Sequence, residues 1–429
     1  MKRVLINDLK ENEDTRISGM IRKVRDTKYM VFIVVEDRSG HIQVSIDKQD
    51  ENLTSEALKI TMGSVVSFQG KMVKSEYVKD GGKEFIPTSL EILSLADVYP
   101  LDEKALTETR MDYRWLDLRT PSKGLIFTIQ SALVKYMREY LYNNDFEKIH
   151  TPKLIGAASE SGSDVFEVKY FDRKAYLAQS PQFYKQMAIA SGKERVFEVG
   201  PVFRAENSNT NRHCTEYTSF DVEFAYIDSF HDVMTLEQDM LTYAFKKVKE
   251  EFGDEIKETF GTEVVVPKKA FPIIKLPDLY QELSKRYGYE IPKNDVGDLN
   301  AETEGLACKY AMEEYGSEFI FITDFNKAKR AFYHMRDENE TPLGFDLLYR
   351  GTEITSGAQR EHRFNELSKQ AKEKGLGKDV EFYLEFFKYG CPPHGGFAIG
   401  VERLIVLLLG LDHIREGQFI FRSPNRLNP

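Results

Sequence analysis

The chain has no apolar run approaching the ~18 residues that a membrane-spanning helix requires. Its first thirty residues carry Lys2, Arg3, Asp8, Lys10, Glu11, Glu13 and Asp14 without an apolar stretch, which predicts no signal peptide, no membrane partner and a cytoplasmic location. Cysteine is scarce. Cys214, Cys308 and Cys391 lie far apart with no CxxC, so neither a disulfide framework nor a cysteine zinc site is expected. Proline numbers only 15, and no disordered tail is suggested. Neither GxGxxG nor GxxxxGK[ST] occurs, which removes the dinucleotide-fold and P-loop explanations for nucleotide use. An excess of positive charge is also lacking. At a net −10 the protein is not one that coats nucleic acid indiscriminately, although a local basic path is compatible with that sum.

What is present is a globular composition, 41% hydrophobic and 30% charged, in 429 residues, enough for two or three domains. Residues 1–95 read as five short strands (TRISGMIRKV, YMVFIVVED, HIQVSID, SVVSFQGKMV, EFIPTSLEIL) with one helical candidate, ENLTSEALKIT, and turn signals DRSG and KDGG. A small closed barrel of the OB type is expected, with an SH3-like barrel as the rival. Residues 96–118 lack sustained periodicity and read as a hinge. From 119 to 429 a long amphipathic helix, with Ser122 as N-cap, precedes strands that follow strands, so the fold class is α+β with an antiparallel sheet flanked by helices.

Three charged segments stand out. FRAENSNTNRHCTEYTSFDVEF (203–224) has strand alternation only at its ends, where Val202, Val222, Phe224 and Tyr226 read as half-buried. Its polar middle would present Arg204, Glu206, Arg212 and His213 around one cavity, the arginine fork suiting phosphate. GGFAIGVERL (395–404) reads as a glycine-rich strand followed by a helix with Arg403 in its first turn, where the dipole also favours anions. FDLLYRGTEITSGAQREH (345–362) places Asp346, Glu353 and Ser356, hard oxygen donors, on or beside one strand, a set suited to Mg²⁺ shared with phosphate. Each segment alone also fits a solvated salt-bridged surface.

Together these segments resemble class II aminoacyl-tRNA synthetases, and closely the aspartyl enzymes of archaeal and eukaryotic type. HTPKL (150–154) resembles motif 1 with Pro152, which implies a homodimer; 203–224 resembles motif 2 and 395–404 motif 3. The resemblance implies an N-terminal OB-fold anticodon domain and a class II catalytic domain that uses ATP and Mg²⁺. It further implies that Arg204 grips the α-phosphate and Glu206 reads the adenine amine. Tyr217, standing where the family usually has phenylalanine, stacks beneath the base, and Arg403 stacks on the other face, with Arg212 and His213 holding the triphosphate. Asp346, Glu353 and Ser356 would hold Mg²⁺, Glu353 also lining the ATP site.

For the amino acid, Gln182 and Lys185 in SPQFYKQ, Arg360 in SGAQREH, Ser356, Asp221, and Glu160 in the loop ASESGSDVF match substrate positions. Two cations left without partners in a small pocket would be costly, which favours an acidic ligand, L-aspartate. Phe32, Gln43 and Glu84 fall at anticodon-contacting positions, Phe32 as a stacking platform unless its register buries it, with Arg22, Lys23 and Arg25 as a basic path. The expected reaction is aspartate–tRNA ligation onto tRNA-Asp, with tRNA-Asn left open. The alternatives are an asparaginyl-tRNA synthetase, which lacks the lysine of KQ, and an amide-forming relative, which lacks the barrel. Residues 254–300 look like a variable insertion without an assigned role.

Overall fold

A computed structural model describes all residues except 79–80, 103, 158–163, 208–209 and 377. The chain divides into two compact units, Met1–Tyr113 and Arg114–Pro429.

In the first unit, β1 (Asp14–Asp26), β2 (Met30–Asp37), β3 (Gly40–Asp47), β4 (Val65–Lys74) and β5 (Lys83–Ser94) close into a barrel in the order β1-β2-β3-β5-β4, with helix α1 (Glu51–Ala57) between β3 and β4. Period-two patterning builds it. Val31, Ile33 and Val35 of β2 point inward and are fully buried, alongside Val44, Phe68 and Phe85, and the residues between them face out. Asp50 caps α1 by accepting from the Leu53 amide. Within 96–118, where no periodicity was read, two short helices form: α2 (Thr107–Asp112) and α3 (Arg114–Asp117).

The second unit starts with α4 (Pro121–Tyr142). The helix begins two residues earlier than expected from the sequence: Thr120, not Ser122, is the N-cap and Pro121 the first helical residue, a position that needs no amide donor. Short strands β6 (Glu147–Lys148), β7 (Leu154–Ile155), β8 (Glu167–Tyr170) and β9 (Arg173–Leu177) follow, then α5 (Gln182–Ala190), β10 (Arg195–Phe203), β11 (Glu216–Ala225) and α6 (Phe230–Phe260). Next come β12 (Ile273–Lys275), α7 (Leu276–Tyr287), α8 (Ala301–Tyr315), β13 (Phe319–Thr323), β14 (Gly344–Tyr349) and β15 (Thr352–Gln359). The chain ends with α9 (Phe364–Glu373), α10 (Glu381–Glu385), β16 (His394–Gly400) and α11 (Val401–Leu408).

Eight strands form one sheet in the order β12-β13-β14-β15-β16-β11-β10-β6, antiparallel except at its two ends. One face is core. Phe220 and Val222 of β11, Phe345 and Leu347 of β14, and Phe397 and Ile399 of β16 pack with residues of α4, α6 and α11. Alternation then sends Ser219, Asp221 and Glu223 of β11, and Asp346 of β14, to the opposite face. The sheet is thus apolar on one side and chemical on the other. Tyr226 corrects the sequence reading: it lies past the end of β11 in a left-handed conformation (φ 60°) and is exposed. No helix among the described residues is long and apolar enough to cross a membrane.

Candidate active site

The segment 203–224 is a hairpin whose last strand pair is Phe203 with Glu216. One further backbone bond, Arg204 N to Thr215 O (2.9 Å), closes the loop base and fixes where the Arg204 side chain leaves the sheet. Arg204, Glu206, Arg212, His213 and Tyr217 from this hairpin meet Glu353 and Ser356 of β15 and Arg403 of α11 around one cavity of about 260 Å³. A larger open groove along α9 and α10 interleaves Lys369, Lys372 and Lys388 with Glu373, Glu381 and Glu385, so its charges largely cancel.

Electrostatics in the cavity are set by burial and by the arginines. The Tyr217 phenol is pushed up by burial, with Arg204 and Arg403, which line the same cavity, opposing the rise. Burial lowers His213 below the ordinary histidine range against the pull of Glu206, 3.8 Å away, and its Nδ1 is 2.5 Å from the Thr210 hydroxyl. Arg403 donates to the Glu353 carbonyl at 2.6 Å. Beside it, both carboxylate oxygens of Glu402 accept from the Thr218 amide (3.0 and 3.1 Å), which ties the start of α11 to β11.

Asp346 and Ser356 face each other across β14 and β15. Burial, then the Asp346 charge, pushes the Glu353 carboxyl up to about 8. Such a carboxyl ionises readily only beside a cation. The donor set is all oxygen and fits Mg²⁺, but one participant was not foreseen: Arg330 grips Asp346 with two bonds (2.8 and 2.6 Å), donates to the Ser356 hydroxyl at 3.2 Å and stacks on Phe325 at 3.5 Å. Among the described residues no cluster of three or more His, Cys, Asp or Glu is arranged to hold a metal alone. Phosphate oxygens would have to complete the coordination.

Further along the same face, Lys185 and Arg360 are both buried and both reach Glu223. Arg360 Nε donates to Glu223 at 2.9 Å and Lys185 Nζ lies 3.4 Å from it, while Asp221 takes Lys185 at 3.0 Å. The expectation that these cations lack protein partners is therefore corrected: β11 supplies two carboxylates. Despite its burial, Glu223 is held below the ordinary carboxylate range by Arg360 and Lys185. Gln182 accepts from Arg360 (3.3 Å) and donates to Gln186 (2.9 Å), which takes the Tyr383 hydroxyl and meets His394. Gly396 is required here, because a Cβ would collide with the Val222 carbonyl and the Glu223 carboxylate. Glu160 and Ser161 lie outside the described residues.

In the barrel, Phe32 stands half-buried on the outer face, not in the core, with Arg25 over its ring at 4.6 Å. Gln43 donates to Ser45 (3.2 Å) and Ser45 to Glu84 (2.5 Å), so these residues share one polar surface with the aromatic ring. Arg22 is paired with Glu36.

Glu223, Arg330 and Glu304, which contacts Arg212, were missed from the sequence. Glu223 was legible: it stands two residues after Asp221, and Ser219, Asp221 and Glu223 alternate with the apolar Phe220, Val222 and Phe224. Arg330 and Glu304 sit more than a dozen residues from any motif partner, and only the fold brings them in.

An antiparallel sheet bearing an arginine-lined cavity, preceded by a five-stranded barrel, matches known families over almost the whole chain. Residues 106–420 match the tRNA synthetases class II (D, K and N), and residues 15–93 match the OB-fold nucleic acid binding domain. The chain belongs to the class II tRNA synthetases of this group. It is 41% identical to the aspartate–tRNA(Asp/Asn) ligase of Aeropyrum pernix, covering 96% of this chain and 95% of that one. Identity is also 41% to the aspartate–tRNA(Asp) ligase of Pyrococcus horikoshii, covering 96% of each. Among solved structures, the asparaginyl-tRNA synthetase of P. horikoshii complexed with asparaginyl-adenylate has a TM-score of 0.91 at 31% identity, covering both chains fully. The aspartyl-tRNA synthetase of Entamoeba histolytica has 0.88 at 31%, covering all of this chain and 93% of that one.

Proposed function

We propose that this synthetase activates L-aspartate with ATP and transfers it to the terminal adenosine of tRNA-Asp. The observation that supports aspartate is the meeting of Lys185 and Arg360 on one buried carboxylate beside the nucleotide cavity. A substrate side-chain carboxylate finds there two cations of defined geometry, and Arg360, whose Nε and Nη2 bond Glu223, Gln182 and Gly396, keeps its Nη1 hydrogens to donate to it. An asparagine amide would bring its own donors against those cations.

In this reading the α-carboxylate of aspartate attacks the α-phosphorus held by Arg204, and the bond to the bridging oxygen breaks. Pyrophosphate then leaves against Arg212, His213 and Arg403, Glu206 and Tyr217 having fixed the adenine. The 3′-hydroxyl of the tRNA adenosine attacks the resulting mixed anhydride, releasing AMP. Asp221 and Glu160 receive the substrate ammonium, and Gln182 with Lys185 reads the amino acid. Asp346, Glu353 and Ser356 would hold Mg²⁺, which would screen the phosphate charge. Positioning and charge stabilisation carry the rate, with no side-chain nucleophile.

The same reading takes residues 1–95 as the anticodon-binding domain, with Phe32, Gln43 and Glu84 on the anticodon bases, 96–118 as a hinge and 119–429 as the catalytic domain of a cytoplasmic homodimer joined around Pro152. The A. pernix relative is named for both tRNAs and the P. horikoshii one for tRNA-Asp alone, so tRNA-Asn belongs in the test. ATP–pyrophosphate exchange should depend on L-aspartate and charging should follow with tRNA-Asp; exchange that prefers L-asparagine would overturn the assignment.

A further inference from the structure

The sequence assigned no role to the stretch before α8, yet α8 bonds to Arg212, which lines the nucleotide cavity. The helix is anchored by Ala307 and Ala311, packed with Leu279, Ile320 and Leu348, and Asn300 caps its start by accepting from the Thr303 amide. Glu304, in the first turn, is 9% exposed and leaves that core toward the hairpin arginine. One of its oxygens accepts from Arg212 Nη1 at 2.9 Å and from the Glu353 amide at 3.0 Å. Arg212 Nη2 donates to the Gly351 carbonyl at 3.3 Å.

The second of these bonds has a backbone cause. β14 and β15 slip register at Leu347/Leu348, where Thr355 pairs with Leu347 and Glu353 with Leu348, leaving Ile354 as the extra residue. An amide beside such a bulge needs a partner outside the ladder, and Glu304 supplies it. An ordinary surface ion pair would contribute little, but this carboxylate is nearly buried and joins three elements: the hairpin loop, α8 and β15.

We propose that Glu304 is a positioning residue for the triphosphate: it orients the Arg212 guanidinium and holds the Glu353 backbone through a single carboxylate. The inference rests on the reading of Arg212 as a triphosphate contact. An arginine on a polar loop loses rotamer freedom when it is fixed. Here the protein fixes it before ATP arrives, with the remaining N–H donors left for phosphate oxygens.

The test compares wild type, Glu304→Gln, Arg212→Ala and the double variant. Calorimetry measures ATP and, separately, a non-hydrolysable aspartyl-adenylate analogue, which lacks the β- and γ-phosphates. Glu304→Gln should weaken ATP binding, and raise the KM for ATP in exchange, by about tenfold. Analogue affinity should stay within about twofold, and the double variant should lose little beyond Arg212→Ala alone. Equal losses for ATP and analogue would make Glu304 merely structural, and multiplicative losses in the double variant would sever it from Arg212; either overturns the proposal. If wild type shows no aspartate-dependent exchange, the substrate assignment fails on its own, because the ATP calorimetry needs no amino acid.

Discussion

Replacing Glu223 by Gln tests the buried charge arrangement most directly. Glu223 has no exposed surface and holds Arg360 through contacts of 2.9 and 3.3 Å, with Lys185 at 3.4 Å. Among Lys185, Arg360, Asp221 and Glu223 the formal charges cancel, two against two. The amide keeps the shape but removes one negative charge, leaving a buried excess positive charge. Breaking a buried ion pair from one side typically costs about 3–5 kcal/mol. Glutamine can still accept from Arg360 Nε, so the lower end, about 3 kcal/mol, is expected. In a catalytic unit of this size that lowers the melting temperature by roughly 4–5 °C. Differential scanning calorimetry at neutral pH reads the shift. Saturating L-aspartate should recover more stability in the variant than in wild type, since the substrate carboxylate supplies the missing charge. A variant that melts with wild type, or that gains no more from aspartate, would refute the claim that Glu223 balances these cations.

Phe32→Ala should raise the KM for tRNA in charging by about tenfold, as loss of one base-stacking ring does, while leaving ATP–pyrophosphate exchange unchanged; loss of exchange would show that the barrel face acts otherwise. Glu237, buried on α6, has its carboxyl pushed up to about 8 by burial, with Asp346 adding to the rise and Thr355 partly offsetting it. The folded state keeps that proton where the unfolded chain, with an ordinary carboxyl near 4.5, has lost it, so stability falls as pH rises from about 4.5 to about 8. Glu237→Gln should therefore melt higher than wild type by several degrees at about pH 8.5 and nearly with it at about pH 5; an equal difference at both would disprove the titration.

Sequence patterns carried the barrel because its strands obey period two, and period two survives without knowledge of partners. Val31, Ile33 and Val35 announce an inward row, and the side on which Phe32 falls follows once that row is buried. Arg204, Tyr217, Glu353 and Arg403 line one cavity, a meeting implied by the resemblance to the class II motifs and not encoded by period two. What escaped are partners contributed across long chain separations: Arg330 on Asp346, Glu304 on Arg212, and the pairing of Glu223 with Arg360, 137 residues apart. No local pattern encodes these, because a charge in a sequence shows its sign and not its counter-ion. Lys185 and Arg360 do not wait for a substrate charge to offset their burial; Asp221 and Glu223 already do so. Specificity must then come from how a substrate carboxylate competes for and shares these cations, a difference between two bound geometries and not the rescue of isolated charges.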